Sequence, residues 1–144
     1  MAGFAETKYV YDSNDNLIYE GSATNFVIAD SGTWYQYDAN GNKIYDKTVY
    51  SNGNSFERSY KYDSSGNLIR EDSSDGNASI YEYDSAGNKV YCKSKYNGSW
   101  SEHWYGYGKN GVLQYQLLNN GHGDWFEYTF WGNGKVKTKK NYQF

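Results

Sequence analysis

One pattern constrains this chain more than any other: a triplet formed by a pair of aromatics with one residue between them returns along its whole length. Tyr9-Val10-Tyr11-Asp12, Tyr35-Gln36-Tyr37-Asp38, Tyr60-Lys61-Tyr62-Asp63 and Tyr81-Glu82-Tyr83-Asp84 are four copies, and Tyr105-Gly106-Tyr107 and Tyr128-Thr129-Phe130 continue it without the aspartate. Each copy leads through a turn to one aliphatic residue: Ile18, Ile44, Ile69, Val90, Leu113 and Val136. Self-similarity at a near-constant period means a stack of supersecondary units. The units run approximately over residues 4–24, 30–54, 55–75, 76–98, 99–120 and 121–144, a single repeat domain covering 1–144.

Each unit reads as strand, turn, strand. Alternating aromatic and polar residues have a period of two, and Tyr, Val and Ile suit a pleated surface. No apolar stripe of helical period exists. In Asp38-Ala39-Asn40-Gly41, Asp63-Ser64-Ser65-Gly66 and Asp84-Ser85-Ala86-Gly87, the aspartate can accept backbone N–H groups and the glycine can close the turn with a positive φ. Asn-Gly or Asp-Gly recurs at 40/41, 52/53, 75/76, 97/98, 110/111, 120/121 and 133/134, a strong hairpin signal. The expected fold is all-β: six tandem β-hairpin repeats, about twelve strands, in an up-and-down antiparallel meander. It would form a single curled sheet or a short open solenoid.

Composition sets the character of the core. The chain holds 18 Tyr, 6 Phe and 5 Trp in 144 residues, with no proline, and its mean hydropathy is -0.98. Apolar surface therefore comes mainly from tyrosine, so the core must be thin. A net charge of -3 argues against a nucleic-acid backbone as partner. No stretch approaches the roughly 18 apolar residues of a membrane helix. The start, Met1-Ala2-Gly3-Phe4-Ala5-Glu6, lacks the apolar core of a signal peptide. The expectation is a cytoplasmic protein, or a surface or secreted one if a signal was removed.

Residues two apart on a strand share a face. Tyr35, Tyr37, Tyr60, Tyr62, Tyr81, Tyr83, Tyr105, Tyr107, Phe126, Tyr128 and Phe130 fall on one side. Gln36, Ser59, Lys61, Glu82, Glu102, Glu127 and Thr129 fall on the other. By the same parity Trp34, Trp100, Trp104, Trp125 and Trp131 oppose the tyrosines. Two arrangements satisfy this pattern: a second core, or an exposed aromatic patch that marks a contact site.

Motifs for chemistry fail one by one. Asp38-Ala39-Asn40-Gly41-Asn42 has oxygen ligands at alternate positions, but Lys43 and Val49 stand where a calcium loop needs glycine and glutamate. His103, His122, Cys92 and Asp124 lack metal-ligand spacing. His103 falls on the tyrosine side and His122 at a loop tip, with no nucleophile motif beside either. Gly106, Gly108 and Gly111 precede no helix, so they form no phosphate loop. Single Cys92 forms no internal disulfide. The lysines at 135, 137, 139 and 140 read as the charges of an edge strand, or as a contact for an acidic partner. No enzyme, cofactor or metal is expected.

Three resemblances attach to these residues. Tyr60-Lys61-Tyr62-Asp63-Ser64-Ser65-Gly66-Asn67-Leu68-Ile69 resembles the YD/RHS repeat. Trp125-Phe126-Glu127-Tyr128-Thr129-Phe130-Trp131-Gly132-Asn133-Gly134-Lys135-Val136-Lys137 resembles the MORN-variant repeat of bacterial toxin–antitoxin proteins. Together they imply a small bacterial or phage binding protein, an immunity protein, antitoxin or inhibitor that occludes a toxin, nuclease or effector complex. Thr33-Trp34-Tyr35-Gln36-Tyr37-Asp38-Ala39-Asn40-Gly41-Asn42-Lys43 is similar to the choline- and glucan-binding repeat, which implies a cell-wall glycan or choline ligand held by aromatic stacking. The expected function is non-catalytic protein binding through Trp100, Trp104, Trp125 and Trp131, with wall binding as the alternative. Neither direct nucleic-acid binding nor membrane insertion is expected.

Overall fold

The computed structural model describes residues 6–24, 27–108 and 111–144. Of the assignments above, Met1 to Ala5 and Asn110 lie outside them. The chain divides into two compact units, Met1–Gly76 and Asn77–Phe144.

In the first unit, β1 (Glu6–Tyr11), β2 (Leu17–Thr24), β3 (Val27–Tyr37), β4 (Lys43–Val49), β5 (Ser55–Tyr62) and β6 (Leu68–Ser73) lie side by side in chain order. Every neighbouring pair is antiparallel. The second unit repeats the plan with β7 (Ala78–Tyr83), β8 (Lys89–Tyr96), β9 (Ser99–Tyr107), β10 (Leu113–Leu118), β11 (Gly123–Phe130) and β12 (Val136–Gln143). Each unit is an open up-and-down sheet of three hairpins, with no helix among the described residues. The all-β hairpin-repeat expectation holds.

The turns follow from three residues rather than two. Asp38 Oδ1 accepts the backbone N–H groups of Asn40 and Asn42, both at 2.9 Å, while Oδ2 accepts Asn42 Nδ2 at 3.0 Å. Asp12, Asp63 and Asp84 make the same set with Asn16, Asn67 and Asn88. The asparagine four places on is thus part of the turn chemistry. Its side-chain bond, then its backbone bond, hold all four carboxyls below their usual value. Gly41 closes its turn at φ 82°, and in the first copy Asp15 takes that place at φ 61°. Aspartate tolerates this region better than most residues, because its short side chain bonds locally.

The core is as thin as the composition requires. Tyr19, Tyr60, Cys92 and Phe126 are the buried apolar residues among those described, and Asp46 is fully buried. Bonds between hairpins supplement it. Tyr37 Oη donates to the Leu17 carbonyl, Tyr62 Oη to that of Lys43 and Tyr107 Oη to that of Lys89, each at 2.9 Å. The second tyrosine of one triplet therefore ties its hairpin to the one before, for about 1 kcal/mol net per bond. In the last hairpin this residue is Phe130, which has no hydroxyl.

Register completes the picture. Where hairpins meet, Tyr19 faces Trp34, Tyr45 faces Ser59 and Tyr91 faces Trp104. The residue just before the triplet is opposed each time. At β10–β11 the rule would set Tyr115 against Glu127, yet it faces Trp125. This slip of two residues leaves every side chain on its own face, as the period of two demands.

Candidate protein-binding face

Register places Trp100, Trp104 and Trp125 on one face of the second unit. Trp104 lies opposite Tyr91 on β8 and Leu117 on β10. It is half-buried, with its ring centroid 5.5 Å from that of Tyr91. Trp100 lies opposite Lys95, is 43% exposed, and has Lys93 Nζ 5.2 Å from its ring. Between the two indoles, Lys93 pairs with Glu102 at 2.7 Å. Lys93's bond holds the Glu102 carboxyl below its usual range, and the pairing raises Lys93, so both stay charged at neutral pH.

Trp125 owes its setting to the register slip. It stands between Tyr115 on β10 and Tyr142 on β12. The Tyr115 and Trp125 rings are stacked, 6.1 Å between centroids and 2° from parallel. Tyr115 is 39% exposed, Trp125 43% and Tyr142 46%, so the row is open to solvent across three strands. Tyr142 Oη donates to Glu127 Oε2 at 3.1 Å, fixing the outer ring. Nearby lies a cleft of about 710 Å³ lined from both faces, by Phe126, Tyr128 and Phe130 as well as Trp125, Glu127 and Lys140.

Trp131 stands apart from this row. It follows the bulge at Thr129/Phe130 and heads the β11–β12 turn, where its backbone makes the bonds that Asp38 makes in its own turn. Strand parity does not extend to such a position. Its ring lies 4.6 Å from Lys137 Nζ. Trp34, in the first unit, packs on buried Tyr19 at 5.0 Å.

The tyrosine side is built inward. Asp46 accepts bonds from Tyr60 Oη at 2.7 Å, Arg58 Nε at 3.0 Å and Lys43 Nζ at 2.9 Å. Burial pushes its carboxyl up, but these three donors outweigh that and hold it below its usual value. Burial and the bond to Asp46 push the Tyr60 hydroxyl up. Burial and the Tyr35 bond to Glu20 push the Tyr35 hydroxyl up to about 12. These groups keep one charge state across the physiological range, which suits a structural network. In the second unit the corresponding place belongs to Cys92, opposite His103, which stacks on Tyr105. His122 is exposed in the β10–β11 turn. No group of three or more His, Cys, Asp or Glu residues able to hold a metal occurs among the described residues.

The face therefore offers rigid aromatic rings, exposed on strands, beside compensated charges. Large rings immobilised before binding lose little entropy on contact, which is why they dominate protein interfaces. Two members, Tyr115 and Tyr142, escaped the sequence reading. The signal was there for Tyr115: Tyr19, Tyr45, Tyr91 and Tyr115 recur at the same place in the second strand of their repeats.

Residues 62–90 match the RHS repeat. They span the third turn to the second strand of the fourth repeat, and carry the YD/RHS resemblance. No curated protein matches the chain. Among solved structures, the TcdB2-TccC3-Cdc42 crystal structure superposes with a TM-score of 0.57 at 11% identity, covering 94% of this chain and 9% of that one. The TcdB2-TccC3-TEV crystal structure gives 0.58 at 11% identity, with the same coverage. The chain thus spans 9% of the length of these relatives and shares the fold of that segment.

Proposed function

We propose that this chain is a non-catalytic binding module that covers the surface of a partner protein, as an immunity protein, antitoxin or inhibitor would. The carrying observation is the stacked, solvent-open Tyr115–Trp125 pair, continued by Tyr142. Exposed rings in register on neighbouring strands make a patch that water solvates poorly and a partner can cover. Trp100 and the half-buried Trp104 extend it on the same face. Trp131 adds a further exposed ring, 55% accessible, at the adjoining turn. The RHS-repeat match at 62–90, together with the resemblance of residues 125–137 to repeats of bacterial toxin–antitoxin proteins, favours a bacterial toxin-associated protein as partner. A cytoplasmic site of action fits an inhibitor.

A photo-crosslinking residue placed at 125 tests this. Light-dependent adducts with one bacterial protein, absent when the crosslinker sits at exposed Asn40 in the first unit, are the expected result. Retention of the chain on peptidoglycan or choline resin, without any protein adduct, would instead favour the wall-binding reading.

A further inference from the structure

We propose that the chain associates with itself head to tail, the outer edge of β12 pairing with β1 of a second copy. The argument rests on what two internal junctions have in common, independently of the aromatic face.

At β4–β5 and β8–β9, an even-numbered repeat meets the odd-numbered one after it. Each junction shows three features. Tyr45 faces Ser59 and Tyr91 faces Trp104, setting the register. Two residues on, Lys47 pairs with Glu57 at 2.8 Å and Lys93 with Glu102 at 2.7 Å. Tyr62 Oη bonds the Lys43 carbonyl and Tyr107 Oη that of Lys89. The junction β2–β3 shares the first and third features, with Tyr19 facing Trp34 and Tyr37 Oη bonded to the Leu17 carbonyl, but has Gly21 against Gly32 in place of the ion pair. At β10–β11 Leu117 meets Gly123.

The sixth and first repeats carry both halves of the even-to-odd junction. In β12, Val136, Thr138 and Lys140 hold the places of Lys43, Tyr45 and Lys47. In β1, Glu6, Lys8 and Tyr11 hold those of Glu57, Ser59 and Tyr62. Docking β1 of a second copy on β12 in the common register sets Thr138 against Lys8 and Lys140 against Glu6. It also brings Tyr11 Oη to the Val136 carbonyl. Among the described residues, neither Glu6 nor Lys140 has an ion-pair partner, and Tyr11 is 56% exposed. Among the described residues β1 pairs with β2 and β12 with β11, and each presents a further edge of backbone groups.

Overall charge supports the match. Residues 1–76 carry 12 Asp and Glu against 6 Lys and Arg, whereas residues 77–144 carry 5 against 8. An acidic end therefore approaches a basic one, and the contact is heterologous, repeating from copy to copy. Lysines on an edge strand usually deter pairing with another such edge. Here they select a glutamate-bearing one.

Sedimentation velocity on the 144-residue chain tests this. At low salt the average mass should rise with concentration, and added sodium chloride should lower it. Glu6→Lys and Lys140→Glu should each sediment as monomers, with far-UV circular dichroism confirming their fold. Mixing the two in equal amounts should restore association, because every contact in an alternating assembly then joins opposite charges. A wild-type chain monomeric at every concentration would overturn the proposal. So would reversal variants that assemble like wild type, or an equimolar mixture that stays monomeric.

Discussion

A Cβ atom on Gly106 would collide with Cε1, Cζ and Cδ1 of Tyr115, whose ring packs against the bare backbone of the facing strand. That close approach sets the tilt of the Tyr115 ring and, through stacking, presents Trp125 parallel to it. Gly106 is thus a determinant of the binding face, although it carries no side chain. Tyr19 covers Gly21 and Gly32 in the first unit by the same device.

Gly106→Ala should destabilise the second unit by about 1–3 kcal/mol, the usual cost of overpacking. The shift in chemical denaturation midpoint measures it. Partner crosslinking at 125 should fall as well, since Tyr115 must swing away.

The tyrosine ties between hairpins give a paired test. Tyr62→Phe removes the bond to the Lys43 carbonyl and should cost about 0.5–1.5 kcal/mol. The reverse change, Phe130→Tyr, should gain almost nothing. With β11 slipped by two residues, a hydroxyl at 130 has no carbonyl in the place where the other ties find one. Equilibrium urea unfolding of both variants decides the matter, and a clear gain from Phe130→Tyr would contradict the slipped register.

Strands and turns were legible because each is written locally, in period-two aromatics and Asp-to-Gly spacing. Tyr37, Tyr62 and Tyr107 fell on the expected side for that reason. The slip at β10–β11 was not legible, because moving by two preserves the pattern that parity reads. Hence the Tyr115–Trp125 stack was invisible, although Trp125 itself was in view. Trp131 lies one residue past the end of β11, at the head of the turn, where strand parity no longer fixes its side. Asp46 gave no signal at all, since nothing local distinguishes a buried carboxylate with three donors from a solvated one.

Acid should loosen the turns. Asp12, Asp38, Asp63 and Asp84 have folded pKa values below the unfolded value of 3.8. Their stabilisation is full above that value and is lost as pH falls through the folded pKa. The melting temperature should therefore hold steady from neutral pH to about 5 and drop below about 4. Replacing all four with asparagine keeps an acceptor oxygen while removing the charge, and should flatten that drop.

The central claim is that the indoles at 100 and 125 serve contact rather than folding. Trp100→Ala combined with Trp125→Ala, followed by thermal melting and partner crosslinking from another point on the face, addresses it most directly. Half-exposed rings should cost about 2–3 kcal/mol together, a fall of several degrees in Tm, whereas the more buried Trp104→Ala alone should cost about 3 kcal/mol. The account predicts a folded double variant that no longer captures its partner. A double variant that unfolds, or one that captures as well as wild type, would contradict it.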